Sequence, residues 1–423
     1  MAWTSAPDVD VTPRERGAAL GQWNSALTSY YLLAGASALL LTIGLVMVLS
    51  SSSIDALAAT ADDPGGPSPY GIFLDQARYA LIGLPFAWVA TRLPVAFYKK
   101  IAWPALLVAL GLQLLVFSPL GYAVGGNRNW LDLRVLTIQP SELVKLALAV
   151  WLGAVLARKR HLLGQWLHVL VPGVLVALGA IGLVLLGHDL GTAIVLLILV
   201  TGALFVAGVP ARMFVVAGAV AVPVIWQITQ LSDSRIVRIT AFFSADCDQQ
   251  RECYQTTRGL YALASGGWTG QGLGESREKW SYLPERHNDF IYAILGEELG
   301  LLGAVLVLAL IGVLAVAMTR VIRRHTDPFV QVTTAAITAW VVGQALINIG
   351  VVIGLLPVIG VPLPLVSAGG SALITTMIAL GIVLSFARTE PGAAEALAAR
   401  PGVVRRSLAV LGRSGRTHRG TRG

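Results

Sequence analysis

Charge is what this chain has least of. Asp, Glu, Lys and Arg make up 13% of its 423 residues against 55% hydrophobic ones, at a mean hydropathy of +0.71. A water-bathed surface needs roughly a quarter charged residues, so a soluble globular protein is excluded. Cysteine is nearly absent: Cys247 and Cys253 are the only two, and with no His nearby they cannot complete a four-ligand zinc site. Basic residues interleaved with stacked aromatics, as a nucleic-acid groove requires, are missing too. No internal repeat of the kind that builds many transporters is visible. Residues 1–28 are polar, and the first apolar run is long enough to span and stay, so a cleavable signal is not expected.

What the chain does have is long apolar runs. Ten of them, near 29–50, 76–92, 101–118, 140–157, 167–186, 190–207, 211–230, 290–319, 329–354 and 368–387, suffice to cross a hydrocarbon core of about 30 Å. The expected fold is an all-α polytopic membrane protein with a leader (1–28), a ten-helix membrane domain (29–388) and a basic tail (389–423). That tail lacks apolar material for a core and is expected to be disordered. Its arginines would attract anionic lipid, or simply be solvated.

The net charge of +8 is topological. With the N-terminus in the cytoplasm, Arg14, Arg16, Arg92, Lys99, Lys100, Arg158, Lys159, Arg160, Arg212, Arg320, Arg323, Arg324 and the tail cations all fall inside, as the positive-inside rule expects. Both termini are then cytoplasmic, and 231–288 becomes a large outside loop between the seventh and eighth spans. In an oxidising compartment, Cys247 and Cys253 on that loop suit a small disulfide. Leu355 to Ser371, with Pro357, Pro362, Pro364 and a Gly369-Gly370 pair, cannot form a regular helix. It is expected to dip back over the outer mouth, buried in protein; a plain tight connection is the alternative.

Asp289 sits where the polar run LPERHND enters the eighth span, with Glu297 and Glu298 about 12 Å deeper on a helix. An acid retained at a membrane edge, where water and substrate meet, is a candidate for chemistry. Glu297 and Glu298 suit equally an anchoring role between helices. Gln139, Pro140, Ser141 and Glu142 start the fourth span, and Lys145 follows one turn later on the face of Ser141 and Glu142. A buried ammonium near the mouth suits a phosphate or pyrophosphate, while outward snorkelling is the bland account. Arg128 and Arg134 lie at headgroup level on the preceding loop. Asp189, in GHDLGT, can cap the next helix or, with Asp289 and substrate oxygens, hold a divalent cation such as Mg²⁺. The outer loop adds Lys279, Glu285 and His287 to the polar groups, and a glycine run at 266–274 that lacks the strand–helix context of a nucleotide site.

Taken together, Trp130 through Lys145 (WLDLRVLTIQPSELVK), Asp189 to Thr192 (DLGT), Ser265 to Gly272, Leu283 to Ile291, Gly296 to Gly300 (GEELG) and Leu363 to Ser371 resemble the SEDS family of peptidoglycan glycosyltransferases. The resemblance covers nearly the whole membrane domain. It implies polymerisation of lipid II on the outer face of the cytoplasmic membrane, with release of undecaprenyl pyrophosphate, and it implies Asp289 as the essential residue. It also implies substrate contacts from Arg128, Trp130, Gln139, Ser141, Glu142, Lys145, Lys279, Glu285, His287, Ser367, Gly369 and Gly370. A Mg²⁺ or Mn²⁺ ion at Asp189 and Asp289, a class B penicillin-binding protein as transpeptidase partner, and other division proteins are further expectations. Ser367-Ala368-Gly369-Gly370 and the basic tail resemble the actinobacterial division branch more than the elongation branch, hence an expected place at the septum. A lipid II flippase or transporter, the elongation branch with the same chemistry, and a non-catalytic scaffold for division are the competing readings.

Overall fold

The structure is a computed structural model that describes residues 27–62, 70–124, 126–132, 137–229, 242, 248, 253–280 and 283–393. In chain order these form α1 (Thr28–Asp62), α2 (Gly71–Arg92), α3 (Val95–Leu115), β1 (Gly121–Val124), β2 (Asn127–Asp132), β3 (Thr137–Ile138) and α4 (Pro140–Arg158). There follow α5 (Trp166–Leu186), α6 (Leu190–Ala207), α7 (Ala211–Thr229), α8 (Tyr254–Gly266), α9 (Ile291–Arg324), α10 (Pro328–Val352) and α11 (Gly370–Arg388). Eight helices, α1, α3, α4, α5, α6, α9, α10 and α11, are long and apolar enough to cross a membrane. The other two expected spans are present as α2 and α7, of 22 and 19 residues. α2 is less apolar because it carries Asp75 and Arg78, which pair at 3.2 Å, and Arg92. The leader, the tail beyond 393, Arg134 and much of the 231–288 loop lie outside the described residues.

Ten crossings bring Thr28 and Arg388 to one end of the bundle. Lys99 pairs there with Asp327 at 2.5 Å, His325 meets Thr389 at 3.3 Å and Arg388 donates to the Thr91 carbonyl at 2.9 Å. The polar loops gather at the opposite end. At the centre stands α4, with fifteen of its 19 residues buried, packed by α3, α6, α10 and α11. A helix apolar on every side belongs in the middle of a bundle. Between apolar helices lipid offers no hydrophobic gain, so close approach through small residues supplies the contact energy. Gly153 of α4 fits against Thr333 of α10, and Gly381 of α11 against the Ala87 backbone of α2.

Two features depart from a purely helical reading. The segment after α3 forms a three-stranded antiparallel sheet, in which Tyr122 pairs with Trp130 and their rings stack at 6.5 Å. Alternation is too short there to announce strands. Second, α9 breaks at Gly300 (φ 68, ψ −168), two residues past Glu298. The helical bonds lost at the break are replaced from the glycine run of the loop: Leu301 N donates to Gly267 O at 2.9 Å, and Gly272 N to Glu298 O at 3.1 Å. Gly270 (φ 82) touches the backbone of Glu298 and Gly300 so closely that a Cβ has no room. The segment from Leu355 to Gly369 is irregular and mostly enclosed by protein, with Val361, Leu363, Leu365, Val366 and Ser367 buried, as a re-entrant loop requires.

Gly270→Ala is expected to lower stability by about 2 kcal/mol, through steric conflict and a left-handed φ. Thermal unfolding of the full chain in detergent checks this, and an unchanged Tm would mean that the loop can lift off α9.

Candidate active site at the loop end of the bundle

Asp289 closes a turn from Leu283 that is pinned by the fully buried Phe290. Its position is set by backbone. The carbonyls of His287, Asn288 and Asp289 each accept one hydrogen bond, from Ala368 N at 2.8 Å, Ser367 Oγ at 2.7 Å and Asn348 Nδ2 at 2.7 Å. Glu285, exposed and at φ 52, accepts from Asn288 Nδ2 at 2.7 Å and turns the chain. The Asp289 side chain is half-buried, its Oδ2 beside Gly360 of the re-entrant loop. Glu142, Asp189, Glu297 and Glu298, by contrast, are all buried. An acid that reaches both the loop and the exterior can accept a proton from a bound hydroxyl.

Asp189 is committed elsewhere. Its Oδ1 accepts from Thr192 N at 2.9 Å, capping α6, and its Oδ2 accepts from Thr192 Oγ1, Asn129 Nδ2 and Gln139 Nε2 at 2.9, 2.9 and 3.1 Å. Asp189 thus caps α6 and ties β2 and the start of α4 to it, with three donors on its Oδ2. Among the described residues, no three or more His, Cys, Asp or Glu side chains cluster as a metal site.

Lys145 neither snorkels nor opens to the mouth. It is 2% exposed, paired to Glu142 at 2.8 Å, bonded to Gln344 Oε1 at 3.1 Å, and 4.9 Å from the Trp340 ring centre. Gln344 in turn donates to the Pro362 carbonyl at 2.8 Å, so this charge braces the re-entrant loop from below. Ser141 is fully buried, and Gln139 N donates to Ser371 Oγ at 3.1 Å. Arg128 is exposed, but its guanidinium donates to the carbonyls of Val116 and Ser118 at 3.0 and 2.9 Å, closing the turn before the sheet. Trp130 faces Tyr122 beside it.

The other expected ligands divide in the same way. Lys279 is buried, donating to Gly274 O at 2.5 Å and pairing with Glu298 at 3.2 Å, while Ser50 of α1 also donates to Glu298. Glu297 accepts from Ser276 Oγ at 2.5 Å and Arg277 N at 2.9 Å. These two acids thus anchor the outer loop to α9 and α1, and Lys279 is no headgroup ligand in this arrangement. In the same segment, burial raises the Glu278 carboxyl above its ordinary value, against the opposing pull of Arg258. His287 and Ser367 stand at the Asp289 turn. Gly369 N donates to Gln76 Oε1 at 3.1 Å, and Gly370 packs flat on the Tyr79 ring. Cys253 is disulfide-bonded; Cys247, the only other cysteine, lies outside the described residues.

Sequence reasoning missed three amides, Gln76, Gln344 and Asn348. Gln76 Nε2 donates to Ser367 O at 3.1 Å, and Asn348 Nδ2 to Val361 O at 2.8 Å as well as to Asp289. The available signal was an uncharged amide deep in an apolar span, twice at i, i+4 in α10.

Fold and site define a polytopic membrane protein with a half-open acid under a re-entrant loop. The family model for FtsW, RodA and SpoVE, described as "Cell cycle protein", matches residues 31–391. The probable peptidoglycan glycosyltransferase FtsW of Mycobacterium tuberculosis is 40% identical over 389 residues, 92% of this chain and 72% of that one. That of Hahella chejuensis is 37% identical over 357 residues, 83% and 88% of the two chains. Among solved structures, a chain of a peptidoglycan synthase complex that coordinates polymerization and crosslinking matches at TM-score 0.67 and 27% identity, covering 84% of this chain and 96% of that one. The Thermus thermophilus rod shape determining protein RodA matches at 0.62 and 27%, covering 85% and 97%. The chain belongs to the FtsW/RodA/SpoVE family.

Lys279→Met, which strands the Glu298 charge, is expected to destabilise the protein by about 3–5 kcal/mol. Lys279→Met with Glu298→Leu should recover part of that loss. Denaturant or thermal unfolding of the two variants beside the wild type decides, and a silent Lys279→Met would show the pair to be unimportant.

Proposed function

We propose that this protein is a peptidoglycan glycosyltransferase, polymerising lipid II into glycan strands at the outer face of the cytoplasmic membrane during cell division. The observation that carries the reading is the half-buried carboxylate of Asp289, on a turn whose three successive carbonyls, from His287 to Asp289, are each hydrogen-bonded where a membrane helix meets the outer loops. Asp289 takes the proton of the acceptor sugar hydroxyl. The oxygen attacks the anomeric carbon of the donor sugar, the bond from that carbon to pyrophosphate breaks, and undecaprenyl pyrophosphate leaves with its electron pair.

An almost wholly apolar cavity of about 350 Å³ among α2, α3, α4 and α11, lined by Phe86, Tyr98, Leu143, Leu146, Ile378 and Ile382 among others, suits part of a polyprenyl chain. Holding the lipid fixes where its sugars fall, which is the positioning share of catalysis. Arg128, exposed beside Trp130, is the cation nearest in kind to a pyrophosphate ligand, whereas Lys145 acts one layer beneath. A Mg²⁺ or Mn²⁺ ion would have Asp289 and the substrate's own pyrophosphate oxygens to bind. It would supply charge neutralisation to the leaving group.

The FtsW names of the relatives support the division branch. A place at the septum and both termini in the cytoplasm belong to the same proposal, the latter resting on where the cations fall along the sequence. The match to a chain of a peptidoglycan synthase complex supports a crosslinking partner, read here as a class B penicillin-binding protein. Other division proteins and membrane lipids complete the expected surroundings.

Asp289→Asn should cut glycan polymerisation by at least a hundredfold in a reconstituted assay with lipid II, Mn²⁺ and the transpeptidase. Lipid II binding should persist. Undiminished polymer from the variant would remove Asp289 from the chemistry, and lipid movement without polymer from the wild type would favour a flippase.

A further inference from the structure

The geometry points to Asn348 as the positioning residue for Asp289, a role that rests on the glycosyltransferase reading above. Asn348 is 1% exposed, near the end of α10. Its Nδ2 gives one hydrogen to the Asp289 carbonyl at 2.7 Å and the other to the Val361 carbonyl at 2.8 Å. One side-chain amide therefore joins the turn that carries the acid to the re-entrant loop that borders it. The two segments meet at the reactive group itself, since Oδ2 of Asp289 lies beside Gly360, the neighbour of Val361.

The amide orientation is dictated by its surroundings. Both partners are carbonyl oxygens, so reversing the amide would press its own oxygen against two acceptors in a buried place. As built, the price is an Oδ1 with no hydrogen-bond partner among the described residues. A buried unsatisfied carbonyl oxygen is unfavourable, and its retention opposite two well-made bonds marks those bonds as the ones that matter. One turn earlier, Gln344 holds the same loop at Pro362 O and is itself fixed by Lys145 and Trp340 Nε1, at 3.1 and 2.9 Å. Of the loop and the Asp289 turn, Gln344 reaches only the loop, whereas Asn348 reaches both. Removing Gln344 would loosen a support. Removing Asn348 would let the Asp289 carboxylate and the loop drift apart, and small misplacements of a catalytic group slow the chemical step far more than they weaken binding.

The test counts donors at position 348 in the full-length protein with its partner and lipid II. Asn348→Leu keeps the volume and offers none, and Asn348→Thr offers one. Relative to wild type, Asn348→Leu should lower kcat at least tenfold with KM for lipid II within threefold, and Asn348→Thr should fall between the two. If Asn348→Leu fails to fold, Asn348→Thr decides alone: a threefold or greater loss confined to kcat supports the role. A kcat within twofold of wild type in either folded variant, or a loss that appears chiefly in KM, overturns it. Absence of polymer from the wild type would instead sink the glycosyltransferase reading.

Discussion

Everything at the loop end of this protein depends on one requirement, that backbone amides and carbonyls buried among apolar helices find partners. A re-entrant segment with three prolines satisfies only part of itself, through bonds such as Ser367 N to Leu363 O and Leu363 N to Ser367 Oγ. Its polar groups are met from outside by side-chain amides on two helices: Gln76 on α2 at Ser367 O and Gly369 N, and Gln344 and Asn348 on α10 at Pro362 O and Val361 O. The Asp289 turn is fastened to the same segment through Ala368 N and Ser367 Oγ. The loop and the acid are thus a single hydrogen-bonded body, and the place of the carboxylate follows from the need to satisfy its neighbours.

Buried charge is handled under the same rule. Lys145 with Glu142 and Lys279 with Glu298 are close pairs shielded from solvent, and each shares its partner with neutral donors or acceptors from a third element. Such pairs contribute little net stability over an apolar substitute, yet a single unmatched member is strongly destabilising. They therefore act as locks between elements: one ties the re-entrant loop to the bundle's centre through Gln344, the other ties the outer loop to α1 and to the broken part of α9.

How far this was legible in the sequence follows from what each signal measures. Apolar length reads directly as spans: among the described residues eight of the ten expected runs are helices long and apolar enough to cross, and the other two coincide with the helices α2 and α7, whose charges or prolines dilute the signal. Prolines in Leu355 to Ser371 forbade a helix, and the loop is irregular, with its second half from Val361 to Ser367 largely buried. Titratable residues in apolar surroundings were visible as unusual, but spacing along a chain carries no information about who faces whom. Asp189 could be read as a cap from its own neighbours, but its bonds to Asn129 and Gln139, fifty or more residues away, show only in the fold. Lys145 and Lys279 stood near the mouth in sequence and are sealed in space. The amides were overlooked because an uncharged Gln or Asn in a span is costly enough to matter but too ordinary to attract notice.

The division between structural and reactive acids comes down to satisfaction and exposure together. Glu142, Glu297 and Glu298 are buried with hydrogen-bonded or ionic partners, and Asp189 is buried with four donors. A carboxylate in that condition serves the fold and has no access to a substrate proton. Asp289 differs in how its order is achieved: the fixing bonds made to its turn fall on main-chain carbonyls, and the side chain stays half-open beside Gly360. Three hydrogen bonds to the main chain of the turn give rigidity without sealing the carboxylate away from solvent. A site assembled this way can be stiff and still within reach of an incoming sugar hydroxyl.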